Sequence, residues 1–424
     1  MGDTMKVLWI SLRLFENSDE KQTAVWLKAL AVKLSEMPNL QLANVSKNAN
    51  SKDLKRCDFG AIQQWALPGF AIDKKGLPPQ NIQSYYSDIL NEFKPDIIQV
   101  WGSENPLKLL PFINQYPAAK VLTMQGVLGS IADRSLIGLS FNNIISTIGI
   151  REIIKRQNIY TVAQSFNDEA VHENEMIKQS GYIITQSNWT DTQIRHLNTK
   201  AIFYRVQREL RHEFISLGRK WTDFTHENPI VYSAAIGYTL KGLHTLIRAI
   251  SIVSQFFPHV ELRLAGITGR RDWLGDGYLR FILKEIKKHN LEGNIVWLGP
   301  IAAKDIVKNL QESSVFVNPS MVESYSMVVA EAMAVGTPSV ISYAGAMPEL
   351  AEDKKEALFF TPGDYKQLAH KIISLLTNEQ LSKSISIAAQ SRSNKRIQEN
   401  DNAAQQYQIY QDIFAKFNKI SSNK

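Results

Sequence analysis

The chain has one cysteine, Cys57, in 424 residues. A single thiol excludes an intramolecular disulfide and a cysteine-based zinc site, and it agrees with a reducing compartment. No apolar run reaches the roughly 20 residues that a helix needs to cross a bilayer. The opening MGDTMKVLWISLRLF is too short in its apolar part and too interrupted by charge to read as a secretory signal. Without a secretory context, the Asn188-Trp-Thr190 match to a glycosylation acceptor is chance. No Asp-x-Asp is present to hold a divalent ion on a diphosphate, and no histidine pair has metal-ligand spacing; His172-Glu-Asn-Glu175 lacks the second histidine of a zinc helix. No Lys/Arg block alternates with aromatics, so no nucleic-acid partner is expected. There is no tandem repeat or low-complexity segment. These absences predict a cytoplasmic protein that carries no metal and no cofactor.

What is present is an ordinary soluble composition: 44% hydrophobic, 21% charged, and a formal net charge of +7. The mild basic excess suits an anionic ligand or an anionic membrane face, without demanding either. The length predicts two or three domains. Short apolar runs (Val7–Ile10, AIQQWAL, DIIQVW, AKVLTMQG, GYIITQS, KAIFYRV) alternate with helical patterns. That rhythm predicts a parallel sheet covered by helices on both faces. Residues 219–229, RKWTDFTHENP, read as a linker. After them the rhythm restarts: PIVYSAAIG, helix 240–255, HVELRLAG, helix 278–289, NIVWLGP, helix 304–311, SVFVNP, helix 325–335, PSVIS. The fold class is therefore α/β, with two Rossmann-like doubly wound domains facing across a cleft. The expected divisions are 1–225, 226–380 and a helical segment 381–424 that crosses the outside of the domains. Residues 136–156, LIGLSFNNIISTIGIREIIKR, form a weakly amphipathic stretch with a basic end. It is expected as a helix pair packed on the first domain, with a membrane interface as the alternative.

The stretch SVFVNPSMVESYSMVVAEAMAVGTPSV places two glutamates, Glu323 and Glu331, eight positions apart in apolar surroundings. It reads as strand, loop, and a helix closed by Gly336 and Pro338. Ser324 or Ser326 is expected to cap the helix. Its first amides, near Ser326, Met327 and Val328, then form an anion site suited to a diphosphate. A carboxylate bonds a vicinal diol well. A nucleoside diphosphate sugar offers diols at both ends, one for each glutamate. Glu331 sits among Val and Ala, and a buried acid needs a partner.

The pattern Glu-Ser-x-Ser-x4-Glu-Ala-Met-Ala-x-Gly-Thr-Pro resembles the E-x7-E signature of glycosyltransferases with the GT-B fold, above all the large retaining family 4. YAGAMPEL resembles that family's Gly-Gly-x-Pro-Glu turn, with Ala346 for the second glycine. LFFTPGDYKQLAHKIISLL, LKGLHTLIRAI and NIVWLGPI resemble further family segments in order. The resemblance implies a metal-independent glycosyltransferase, retaining configuration, in surface polysaccharide or glycolipid synthesis. Its donor would be a UDP-, GDP- or ADP-sugar and its acceptor a saccharide or lipid-linked sugar, with peripheral contact at the inner membrane face. Glu323 and Lys241 are implied as catalytic. Glu331, Ser324, Tyr325, Ser326, Met327, Val328, Gly237 and Gly266 are implied as donor-binding, with the base by Pro300 and Ile301. Gln125, Gly126 and Glu104 are implied on the acceptor side, with Asp133 a further acid there. Two departures stand out. The family's arginine five residues before Lys241 is here Ile236, with Arg205, Arg208, Arg211, Arg270 and Arg271 as unranked substitutes. Its histidine is here Gln125, which hydrogen-bonds but is no general base. Two other readings stay open: a non-catalytic nucleotide-sugar binder, and a sugar-nucleotide epimerase on the same fold.

Overall fold

The computed structural model describes residues 4–16, 25–105, 107–216, 221, 228–234, 237–269 and 276–422. Most of the expected linker, together with Ile236, Arg270 and Arg271, lies outside these residues. The chain forms two compact units. One comprises Met1–Leu128, Asn167–Glu209 and Asn400–Lys424; the other comprises Gly129–Phe166 and Leu210–Glu399.

The first unit is built on an eight-stranded sheet: β1 (Met5–Ile10), β2 (Leu40–Lys47), β3 (Lys55–Arg56), β4 (Gln63–Leu67), β5 (Ile97–Trp101), β6 (Ala119–Thr123), β7 (Tyr182–Thr185) and β8 (Ile202–Arg205). Their order is β3-β4-β2-β1-β5-β6-β7-β8, parallel except for the short β3–β4 pair. The central runs are buried on both faces, which is why they are nearly continuous Val, Ile and Leu. Strand β2 was not visible in that pattern, because LQLANVSK carries polar residues inward. Asn44 pairs in register with Gln64 on β4, and its Nδ2 donates to Gln64 Oε1 at 2.9 Å. The two side-chain amides are bonded across the strands, which places a polar pair where an apolar one was expected.

The second unit carries a six-stranded parallel sheet: β9 (Ile230–Ser233), β10 (Glu261–Ala265), β11 (Ile295–Gly299), β12 (Val315–Asn318), β13 (Ser339–Ser342) and β14 (Leu358–Phe360). The order is β11-β10-β9-β12-β13-β14. The chain reverses its direction of winding between β9 and β12, and in such sheets ligands bind beyond the carboxyl ends of the strands at that point. Helices Leu243–Phe256, Gly277–Lys288, Ala303–Glu312 and Met327–Val335 fall where the periodicity predicts them. Gly277–Lys288 shows the reason: it buries Tyr278, Phe281, Ile282, Glu285 and Ile286 at helical spacing.

One expectation changes. Segment 136–156 packs on the second unit, not the first: Leu136, Leu139 and Ile144 lie against the core formed by Leu246, Ile250 and Phe281. Polar contacts fix it there. Arg248 Nη1 donates to Gly138 O at 3.0 Å, and the buried His244 donates through Nε2 to Ile137 O at 2.9 Å. Burial holds the His244 ring neutral by lowering its pKa to about 4. Glu152 accepts from the Gly277 amide at 3.2 Å and pairs with Arg280. The C-terminal segment is two helices. Glu379–Glu399 packs on Met327–Val335 and on Tyr365–Thr377 in the second unit, burying Ser382, Ile385, Ser386, Ala389 and Ser393. Small residues allow that close approach; a Cβ on Gly336 would lie 1.9 Å from Gln390 Nε2. Helix Asn402–Ser422 belongs to the first unit, where Tyr410 Oη accepts from Trp9 Nε1 at 2.7 Å and donates to Gln99.

Candidate functional site

At the switch point of the second sheet, the loops leaving β9 and β12 are locked to each other. Met321 N donates to Leu240 O at 2.7 Å. Gly242 turns through φ +67, and a Cβ there would sit 1.9 Å from Pro319 O. Only glycine fits both demands. This turn follows the single 3₁₀ turn Thr239–Lys241 and presents Lys241 to Glu323. Lys241 Nζ lies 2.6 Å from Glu323 Oε1, and Ser320 Oγ donates to the same oxygen at 2.8 Å. Glu323 is held by its backbone as well, since its carbonyl accepts from Ala346 N at 2.8 Å. A Cβ on Gly345, φ +58, would lie 2.1 Å from that carbonyl. Ala346 has φ −82, so an alanine fits at the position where the resembled family has its second glycine.

Ser326 stands at the N-cap of helix Met327–Val335, but its side chain makes no capping bond. Its Oγ instead accepts from Asn318 Nδ2 at 3.1 Å. The expected serine cap is therefore absent, and the first amides of the helix, from Met327 on, are left uncapped by it. Ser324 and Tyr325 are half-buried in the loop between Glu323 and this helix.

Glu331 is 2% exposed. Its partner is Arg211, whose Nη2 lies 2.7 Å from Oε1 and whose Nε donates to the same oxygen at 2.9 Å. Oε2 is buried with no hydrogen-bond partner. Burial raises the carboxyl pKa to about 7 despite the opposing pull of the Arg211 guanidinium. Tyr232 Oη is buried and unpartnered too, and its ionisation is pushed up by burial and then by the Glu331 charge. Of the arginine substitutes among the described residues, Arg211 is the one bonded to Glu331. In the first unit Arg205 pairs with Asp191 at 2.7 Å, and Arg208 stacks on Trp26 at 4.5 Å.

Gly266 and Gly299 take positive φ where β10 and β11 end, and Gly266 N donates to Gly299 O at 2.8 Å. This joint carries Pro300, which is exposed, and Ile301, which packs against the core beneath Met327–Val335. Gly237 lies over Ile267, whose Cδ1 would sit only 3.3 Å from a Cβ there.

In the first unit, Gln125 and Gly126 follow β6 and are half-buried; Glu104 follows β5. The Glu104 carboxyl lies over Gly102, φ +86, and burial pushes its pKa up. Two neighbours were missed in the sequence. Glu173 is 1% exposed, accepts from Leu128 N at 2.8 Å and from the Ser103 hydroxyl, and is pushed up to about 7 by burial. Lys108 is equally buried and reaches Glu169 at 3.3 Å. Neither sits in a motif; only the tertiary fold marks them. Asp133 is exposed on helix Leu128–Arg134, which lies mostly in the second unit.

Two α/β units, each on a largely parallel sheet, match solved structures of the GT-B architecture. Residues 214–392 match the family model described as glycosyl transferases group 1. The chain is 27% identical to the mannosylfructose-phosphate synthase of Agrobacterium fabrum over 158 residues, 37% of this chain and 35% of that protein. It is 26% identical to the glycogen synthase of Mycobacterium tuberculosis over 163 residues, 38% of this chain and 37% of that protein. The matched part is thus about a third of these relatives' length. Among solved structures, sucrose-phosphate synthase from Thermosynechococcus elongatus superposes with a TM-score of 0.73 at 16% identity, covering 97% of this chain and 100% of that one. Anabaena HepE in complex with UDP and glucose superposes at 0.63 and 18% identity, covering 96% and 99%. The resemblance to GT-B glycosyltransferases therefore holds for the fold of the chain and for the family of residues 214–392.

Proposed function

We propose that the protein transfers a sugar from a nucleotide-diphosphate sugar to a saccharide or lipid-linked acceptor. The observation that carries this reading is Glu331 Oε2, a buried acceptor in the switch-point helix with no partner in the protein. A buried polar atom left unpaired is costly, and a ribose hydroxyl would relieve that cost. In this reading the base lies by Pro300 and Ile301, and Gly237 and Gly266 let the donor approach the strand ends. Ser324 and Tyr325 shape the loop, and Lys241 with the amides of Ser326, Met327 and Val328 receives the diphosphate. Glu323 orients the donor sugar. Gln125, Gly126 and Glu104 are assigned to the acceptor. Lysine and helix amides neutralising the leaving group make a divalent ion unnecessary, and the leaving phosphate can take the acceptor proton, which gives retention without a protein base at Gln125. The UDP and glucose held by Anabaena HepE support a UDP-sugar as the first donor to try. A role in building surface polysaccharide or glycolipid at the inner membrane face follows from the acceptor class.

The test is a panel of UDP-, GDP- and ADP-sugars scored for bound nucleotide and for released nucleotide with and without acceptors. Turnover of one donor is expected. Binding without turnover for every acceptor makes the protein a binder, and conversion of the sugar itself makes it an epimerase. For the donor that binds, Glu331→Ala should weaken affinity by about tenfold or more, the cost of one hydrogen bond to a charged group. An unchanged Kd removes Glu331 from the site. Affinity should also depend on pH. The diphosphate diester of a nucleotide sugar does not titrate near neutrality, whereas Glu331 titrates at about 7. Hydroxyls donate to the ionised carboxylate, so affinity should rise about tenfold from pH 6 to 8 by one-proton linkage. Calorimetry should show that slope in the wild type and its loss in Glu331→Gln.

A further inference from the structure

Among the described residues, large apolar side chains exposed to solvent gather in one short segment of the second unit. Phe141, Ile145, Ile148, Ile150, Ile153, Ile154 and Tyr160 are all exposed, with Ile150 at 79%, Ile154 at 76% and Phe141 at 74%. They lie on two short helices, Phe141–Ser146 and Ile150–Lys155, and on the turns around them. Exposed isoleucines scattered singly need no explanation, but a contiguous set on one segment marks an interaction surface.

The inner side of the segment is already used. Leu136, Leu139 and Ile144 pack on the core, and Glu152 is spent on Arg280 and the Gly277 amide. The helices are therefore anchored, and their outer face does not turn inward to bury its isoleucines. The charge on that outer face has one sign. Lys155 and Arg156 are exposed, and Glu152, the one acid between Ser140 and Tyr160, is buried and paired. An aromatic residue stands at each end, Phe141 and Tyr160. No helix among the described residues is long and apolar enough to cross a membrane.

We propose that this face docks on an anionic bilayer, with the isoleucines entering the acyl boundary and Lys155 and Arg156 meeting lipid phosphates. Apolar side chains beside cations, with no exposed acid between them, complement a negatively charged lipid surface. A protein groove would match the isoleucines but gives no reason for the excluded acid. Docking there would hold the enzyme at the surface where a lipid-linked acceptor is found. The inference stands without the donor-site reading, because none of these residues belongs to that site.

The test is flotation with vesicles of phosphatidylcholine alone or mixed with phosphatidylglycerol, using the full chain. The wild type should bind the mixed vesicles, and binding should weaken as salt rises. Ile150→Ser/Ile153→Ser/Ile154→Ser should lower the partition coefficient at least tenfold at any salt. Lys155→Glu/Arg156→Glu should lower it on mixed vesicles and erase the salt dependence. All five side chains are exposed, so both variants should keep the wild-type circular dichroism spectrum, melting midpoint and nucleotide affinity. Three results would overturn the proposal: no binding of the wild type to mixed vesicles, equal binding by the triple isoleucine variant, or a wild-type dimer in solution that this variant dissociates. The last would assign the face to a second copy of the chain.

Discussion

Lys241→Ala should lower kcat for sugar transfer by about 10²–10³-fold, the usual loss when one preorganised electrostatic group is taken from a developing anion. Lys241 is held in place by glycine geometry at Gly242 and by Glu323, so its charge needs no reorganisation during the reaction. The diphosphate gains charge as the glycosidic bond breaks, and an ammonium beside it stabilises the transition state more than the bound donor. The loss should therefore fall mainly on kcat, with Kd for the donor moving only a few-fold. Lys241→Arg should restore part of the rate, because charge returns but the planar fork fits the Gly242 turn less well than a flexible point charge. Steady-state kinetics beside calorimetric Kd values separate the two effects. A kcat within twofold of wild type in Lys241→Ala would remove Lys241 from the chemistry. A loss carried wholly by Kd would leave it as a phosphate ligand alone.

The strands that read clearly in the sequence are those whose side chains are apolar on both faces, such as β5 and β7. Strand β2 did not, since its inward Asn44 is bonded through Nδ2 to Gln64, a residue twenty positions away whose partnership no local pattern shows. Helix Glu379–Glu399 was legible as a helix that packs on the outside, but its buried face was not, because that face is mostly serine and alanine. The site divides in the same way. Glu323 and Glu331 lie eight positions apart and could be read as one pattern, and Lys241 as part of another; the ion pair that joins Lys241 to Glu323 spans 82 positions and could not. Arg211 was only one of five arginines, and its place on Glu331 is set by a contact 120 residues long in sequence. The attachment of segment 136–156 to the second unit rests on His244, Arg248 and Arg280 meeting backbone carbonyls and Glu152. Such cross-chain bonds have no periodicity to read.

Arg211→Met should destabilise the protein, and by an amount that grows with pH. Removing one partner of a buried ion pair leaves the other charge uncompensated, at about 3–5 kcal/mol. The Arg211 side chain is 27% exposed, so water already screens the pair and the lower end applies, about 3 kcal/mol near pH 8. Glu331 escapes that cost by binding a proton. Its carboxyl already titrates at about 7 in the fold, well above the usual carboxylate range, and losing the guanidinium raises it further. A folded carboxyl with a raised pKa binds more protons than the unfolded one between those two values, so stability falls as pH rises through that window. At pH 5 both the wild type and Arg211→Met hold Glu331 neutral, and the difference between them should be small. At pH 8 the wild-type carboxylate is paired and the variant's is not. Adding Glu331→Gln to Arg211→Met removes the buried charge, so the double variant should melt above the single one at pH 8 and should lose less stability between pH 5 and 8 than the single one does. Melting midpoints of the three proteins at the two pH values decide the matter. Equal destabilisation at pH 5 and 8, or a double variant no more stable than Arg211→Met, would show that the guanidinium acts by packing over Phe214, 4.9 Å away, and not by neutralising Glu331.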